Sequence, residues 1–295
     1  MATSPKPAPH GRGGLLPGFT LIELLTACAV LALLTIILVS LAGHGTKLWS
    51  LTESQNQCRQ RARALLEFAA ADLRQAVVPL DGSTNSLQFI ISPPSLPAAS
   101  FHDSIFWQAP IANDSSSGDL AEIGYFVRWT TNGTTPQSIL CRFFVNPSEG
   151  TNYLIHTDPA NWLSSSTVAA VAPADQANNY KGLFLENVLG LWVKAYASDG
   201  TPYPTGSQPY FDSRATNGTN AVSSARRLPA YVDLSLVVVD NSTAKRISAA
   251  DAAVIQSAVQ SASSAGAFMT NTSLPKFIRN NCSAIGSTVN LANSR

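Results

Sequence analysis

Gly18-Phe19-Thr20-Leu21-Ile22-Glu23 opens directly onto an uncharged apolar run, Leu24 to Ala42. That run is about 19 residues long, enough for a helix to cross a hydrocarbon core of about 30 Å. Glu23 lies at its mouth. An ionised carboxylate taken into lipid costs about 2.5–3.5 kcal/mol on insertion scales and needs a partner. No Lys or Arg lies nearby to provide one. A chain cut after Gly18 would, because the new α-amine of Phe19, with an ordinary pKa of about 7.7–8.0, is largely cationic at neutral pH, and methylation keeps its charge. Phe19 and Glu23 are four residues apart, so one helix face presents both. They would pair within a subunit or between neighbours in a helix bundle.

Two plainer readings compete. A single-pass anchor with an interfacial acid needs no particular sequence at positions 18–22. A secretory signal peptide would use the small residues of Ser40-Leu41-Ala42 and leave Gly43 as the mature terminus. Against it, the apolar core exceeds the usual length of about 7–15 residues, and an acid at its mouth is atypical.

The chain has 295 residues and a net charge of +1. Residues 1–18 hold Lys6 and Arg12 and no acid, so their removal leaves 17 bases against 18 acids. Pro5, Pro7, Pro9 and Pro17 keep this segment from forming a helix, and the positive-inside rule keeps it in the cytoplasm while the bulk is exported. Charged residues make up only 13%, a composition suited to an exported protein with long neutral loops and without a nucleic-acid-binding surface. Of the four cysteines, Cys28 reads as a small hydrophobe inside the span. Cys141 with Cys282 is one possible disulfide in an oxidising compartment, Cys58 with Cys282 is another, and free thiols are a third outcome.

The helix is expected to continue past Gly43 and Gly45 to about Val78, since the next proline is Pro79. Ala62, Leu65, Leu66, Ala69, Leu73, Ala76 and Val77 recur at spacings of three and four, which predicts a half-buried helix. Antiparallel strands follow. Leu87, Phe89 and Ile91 alternate, and 104–108 reads as a second strand. Ile123, Tyr125, Val127 and Trp129 are answered by Ile139, Cys141, Phe143 and Val145 across a turn at Asn132-Gly133. Leu183 to Leu185 forms a short segment before a central strand at 188–197. The strongest strand is 231–240, with Val232, Leu234, Leu236 and Val238 on one side. A small Ala-rich helix is expected at 251–264, and the last 20 or so residues give no clear signal. The division is 1–18 leader, 19–42 transmembrane helix, 43–78 exported half-helix, and 79–295 an antiparallel β-rich domain with a long loop near 198–227. The fold class is α+β, with the helix covering one face of a sheet.

The Gly18–Glu23 motif and the apolar run behind it resemble the class III signal of type IV pilins and type II secretion pseudopilins. The resemblance implies a pilin-like fold, cleavage between Gly18 and Phe19 by a prepilin peptidase, N-methylation of Phe19 and a role for Glu23 in assembly. More loosely, Ser104-Ile-Phe-Trp-Gln-Ala-Pro110, Ile123-Gly-Tyr-Phe-Val127 and Leu228-Pro-Ala-Tyr-Val-Asp-Leu-Ser-Leu236 resemble J-type minor pseudopilins and, more closely, the group called Verru_Chthon cassette protein C. The partners implied are the peptidase, other pilins or pseudopilins met through the N-terminal helix, an inner-membrane assembly platform and membrane lipid. The implied location is the inner membrane, single-pass, with the C-terminal domain periplasmic, and then a filament. Whether that filament is a secretion pseudopilus or a pilus stays open.

Chemistry elsewhere is sparse. His102-Asp103 and His156-Thr-Asp158 are isolated pairs, and no zinc, P-loop or nucleophile-elbow pattern occurs. Asp114, Asp119 and Asp212, with Asn217 and Asn220, offer loop oxygens, yet Ca²⁺ needs six to eight held together. Arg59, Arg61 and Arg63 read as a solvated helix face. The expectation is a structural subunit, with no catalytic residues, cofactor or metal. The alternatives are a membrane-tethered binding protein displaying the 198–227 loop for adhesion or DNA uptake and, further off, an exported hydrolase.

Overall fold

The computed structural model describes residues 18, 20–77, 87–97, 103–172, 177–178, 181–203, 211–214 and 228–292. The chain divides into two compact units, Met1–Thr52 and Glu53–Arg295. One helix, α1 (Leu21–Arg74), begins in the first and ends in the second.

In the first unit, Leu21–Gly43 is a helical stretch of 23 residues with a mean hydropathy of 2.8, none of it buried. It is long and apolar enough to cross a membrane. Its threonine hydroxyls are satisfied within the helix: Thr26 Oγ1 donates to the Ile22 carbonyl at 3.0 Å and Thr35 Oγ1 to the Leu31 carbonyl at 2.8 Å. A helix that closes its own hydrogen bonds is the form a lipid environment demands.

In the second unit the helix changes character. Ala62, Leu65, Leu66, Ala69, Ala70 and Leu73 are buried while Arg61, Arg63, Glu67 and Arg74 are exposed. The three leucines contribute about 1.5–3 kcal/mol each by leaving water. The helix stops at Arg74, four residues short of the expected end. Val77 donates its N–H to the Gln108 carbonyl at 3.0 Å and forms an isolated antiparallel bridge with it, so the chain has already gone over to sheet pairing.

The strands form two sheets instead of the single one expected. The first has seven strands: β1 (Ile90–Ile91), β2 (Ile105–Ala109), β3 (Ala121–Asn132), β4 (Thr135–Val145), β5 (Ala177–Asn178), β6 (Lys181–Glu186) and, after β7 and β8 of the other sheet, β9 (Phe211–Asp212), in the order β5-β6-β4-β3-β2-β1-β9. The second has four: β7 (Val188–Tyr196), β8 (Pro202–Tyr203), β10 (Tyr231–Val239) and β11 (Cys282–Asn290), in the order β11-β10-β7-β8. Among the described residues every pairing is antiparallel. β3 and β4 are joined by a tight turn closing at Asn132↔Thr135, with Gly133 at φ 64°, where glycine escapes the Cβ penalty. Among the described residues, five α-helices complete the unit: α2 (Ser165–Val171), α3 (Asn241–Ala244), α4 (Ala249–Ser261), α5 (Ala265–Thr270) and α6 (Lys276–Asn281).

Both faces of each sheet carry buried residues. The inner faces meet α1: Ile105, Trp107, Ile123 and Tyr125 from the first sheet and Leu191, Val193, Leu234 and Leu236 from the second share one cluster with Leu65, Leu66 and Leu73. Phe106, Phe126, Cys141 and Phe143, on the other face of the first sheet, pack with Trp162, Val168 and Val171. Leu189, Trp192 and Val237 of the second pack with Ile255, Val259, Phe268 and Ile278 of α4 to α6. This explains β3, whose residues are buried in an unbroken run from Ala121 to Val127.

One buried ion pair ties α1 to the first sheet. Arg142 Nη2 lies 2.7 Å from Asp72 Oδ2, and Tyr125 Oη donates to the same oxygen at 2.8 Å. The guanidinium also sits over the rings of Phe144 and Phe68, at 4.5 and 5.1 Å from their centroids. Charge, hydrogen bonds and π-faces together satisfy a cation that an apolar interior would otherwise reject.

Candidate functional site

Helix α1 begins with a reciprocal pair. The backbone N–H and hydroxyl of Thr20 donate to Glu23 Oε2 at 2.9 and 2.8 Å, and the Glu23 N–H donates to Thr20 Oγ1 at 3.3 Å. The Thr20 carbonyl accepts from Leu24 N at 3.2 Å, the first helical bond. This is a capping box, in which a threonine and the glutamate three residues on satisfy each other's end of the helix. Thr20 thus gives Glu23 two hydrogen-bond donors from within the chain, beside the counter-charge that cleavage is expected to supply. The Thr-x-x-Glu spacing was the signal in the sequence that pointed to it.

Gly18 is exposed, and a Cβ placed there meets nothing within 4 Å. The fold makes no demand for glycine at this position. Phe19, residues 1–17, the side chain of His44, His102, Asn217, Asn220 and the 204–210 and 215–227 parts of the long loop lie outside the described residues.

No disulfide joins the cysteines. All four are free thiols, which corrects both possible pairings. Cys141 belongs to the outer cluster of the first sheet and Cys282 to that of the second. Cys58 is nearer to Cys282, since its Sγ donates to the carbonyl of Val239, the cross-strand partner of Cys282. Strand alternation separates them: Ser283 turns its hydroxyl to Arg59 of α1, 2.9 Å away, so Cys282 faces the opposite side among α4 to α6. Burial raises the thiol pKa of Cys58 and of Cys282, and that of Cys141 to about 12. Cys28 is exposed on its helix.

The remaining polar candidates are occupied locally. His156 is exposed, its ring 5.9 Å from that of Tyr153, while Asp158 accepts from Asn161 Nδ2 at 3.1 Å. Asp114 caps the 115–117 turn, and Asp212 Oδ1 accepts from Gln88 and from the Arg214 N–H. Asp119 is exposed. Among the described residues no three His, Cys, Asp or Glu side chains group to hold a metal. Arg63 is exposed and Arg59 is tied to Ser283.

Two acids carry unusual environments that sequence reading missed. Glu122 is fully buried, and its Oε1 accepts the N–H groups of Leu154 and Ile155 at 3.0 and 2.8 Å. Burial raises its pKa to about 8 against the pull of those bonds, with the Glu149 carboxylate adding to the rise. Asp103 sits at φ 50° in a buried position, and burial lifts it too to about 8, opposed by the Val193 N–H and Lys194. Only the packing of a second layer over β3 makes Glu122 an interior residue.

Compared with protein-family models and with curated proteins, the chain matches none.

Proposed function

We propose that this chain is a prepilin-like structural subunit of the minor-pseudopilin kind, with a pilin-like fold. It enters the inner membrane with its N-terminus in the cytoplasm and its bulk in the periplasm. A prepilin peptidase cuts after Gly18 and methylates Phe19, and the subunit joins other pilins or pseudopilins through the N-terminal helix at an assembly platform. It ends in a secretion pseudopilus or pilus-like filament, near the tip.

The observation that carries this reading is one helix of two kinds. Gly18-Phe-Thr-Leu-Ile-Glu23 heads an apolar stretch unburied on every side, and the same helix then lays one face on antiparallel sheets. An exposed apolar surface of that extent needs lipid or neighbouring helices to cover it. The capping box adds a role for Glu23. Cleavage would place a cationic amine on the residue next to Thr20, within reach of a carboxylate already fixed at the helix start. That amine, from the same or an adjacent subunit, would add the counter-charge that the hydrogen bonds of Thr20 do not supply.

The N-terminal residue of the membrane-extracted chain tests the proposal. A monomethylated Phe19 is the expected result, and a terminus at Gly43 contradicts it. Glu23→Leu should be cleaved yet fail to enter filaments; normal assembly of that variant would remove the role given to the carboxylate.

A further inference from the structure

Where the second unit begins, cations gather from three parts of the chain. Gln55 Nε2 of α1 donates to Asn281 Oδ1 at 3.5 Å and Arg59 Nε to Ser283 Oγ at 2.9 Å, so this turn of the helix lies against the junction of α6 and β11. Cys58 Sγ donates to the Val239 carbonyl, at the end of β10 from which α3 departs. Arg246, just past α3, sets its guanidinium carbon 4.7 Å from the centroid of the Phe277 ring on α6. Arg59, Lys245, Arg246 and Lys276 are exposed, and Arg279 is half-buried. Among the described residues none of these five forms an ion pair.

Three carboxylates belong to the same end, and each is engaged by its own stretch of chain. Asp240 is buried and accepts from the N–H groups and hydroxyls of Ser242 and Thr243. Asp251 accepts from the N–H and hydroxyl of Ser248, and Glu53 from Gln57 Nε2. Arg61 and Glu186 line one cleft and offset each other. The five cations therefore outnumber the acids, and they are spread over a surface instead of converging on a point. A partner that fits them offers negative charge over an area.

The chain itself limits where that partner lies. Gln55 comes twelve positions after Gly43, the last residue of the membrane-length stretch, so in any arrangement of the two units this end stays within about 40 Å of it. Between them Trp49 is 78% exposed, and an indole, apolar with one polar edge, is a side chain that bilayer interfaces collect. We infer that this basic end docks on the anionic headgroups of the bilayer that the apolar stretch crosses. Docking holds the second unit against the membrane before the subunit enters any assembly. Each Lys or Arg brought to an anionic surface adds about a fivefold preference for it, and the carboxylates subtract from the total. The inference rests on Leu21–Gly43 lying in lipid and is independent of processing at Gly18.

The test uses the full chain reconstituted in vesicles of phosphatidylcholine, alone or with phosphatidylglycerol at one part in three. An amine-acylating reagent probes the lysines, read by mass spectrometry, with Lys181 and Lys194 of the same unit as internal references. Anionic vesicles should slow acylation of Lys245 and Lys276 about fivefold against the references, the scale of one basic residue at such a surface. One molar salt should remove the protection, because the Debye length falls to about 3 Å. Arg246→Glu combined with Arg279→Glu should remove it at low salt as well; the salt arm needs no variant and decides alone if the double substitution misfolds. Equal acylation in the two kinds of vesicle, or protection that survives high salt, overturns the inference while a chain that still floats with both keeps the membrane reading. A chain that floats with neither ends both. Inorganic phosphate that protects the two lysines in phosphatidylcholine vesicles as well as phosphatidylglycerol does would assign the patch to free anions and overturn the inference too.

Discussion

The two ends of α1 solve opposite problems with the same backbone. Leu21–Gly43 has no buried residue, and its threonines bond back to the helix's own carbonyls. Ala62 to Ala76 buries one stripe against two sheets and brings one buried acid, Asp72, to Arg142. The first stretch is long and apolar enough to cross a membrane, where surroundings supply no hydrogen bonds. The second is built for a core on one side and water on the other. Periodicity marks the difference: apolar residues all round in the first, spacings of three and four in the second.

The largest effect expected from disturbing this contrast is at the ion pair. Asp72→Ala leaves the Arg142 guanidinium buried without its counter-charge, and loss of one partner of such a pair costs about 3–5 kcal/mol. Denaturant unfolding of the 53–295 unit within the full chain measures it, and a cost below about 1 kcal/mol would mean that the pair is hydrated.

Next comes a matched truncation. Leu73 is fully buried and Leu31 is 66% exposed. Leu73→Ala should destabilise that unit by about 2–5 kcal/mol, while Leu31→Ala should leave the same transition where it was. Equal shifts would erase the distinction between the two stretches.

A pH dependence isolates the interior of the second unit. Glu122 has a folded-state pKa raised to about 8 from 4.5. The native state therefore holds a proton that the unfolded chain has released. Its contribution is complete below about pH 4.5 and is lost as pH rises toward 8. Glu122→Gln cannot ionise and should flatten the fall in stability across that window. Asp103, raised to about 8 as well, keeps part of the slope in the variant. An unchanged slope would show that Glu122 ionises freely in the folded protein.

Much of this was legible in the sequence. The half-buried stripe of α1, the β3–β4 hairpin with its turn at Asn132-Gly133, and the inward face of β10 at Val232, Leu234, Leu236 and Val238 follow from period and turn chemistry, and all lie where they were expected. β11 was invisible because its inward positions are Ser283, Ile285, Ser287 and Val289, two of them polar, so alternation gives a weak signal. The division into two sheets depends on which strands pair over long separations, as β10 does with β7, and local pattern does not encode that. Asp72 and Arg142 lie 70 residues apart, and nothing near either announces the other. At the helix mouth the Thr-x-x-Glu spacing encodes a capping box at Thr20 and Glu23 as well as the motif around Gly18.

The native Cys28, exposed on α1 within the apolar stretch, allows the most direct test of whether that stretch lies in lipid. With Cys58, Cys141 and Cys282 replaced by alanine, a spin label on Cys28 of the full chain in lipid vesicles reports its surroundings through relaxation. Strong enhancement by molecular oxygen with protection from a water-soluble nickel chelate is the result expected. Ready access of the chelate would place the segment in water and contradict the account.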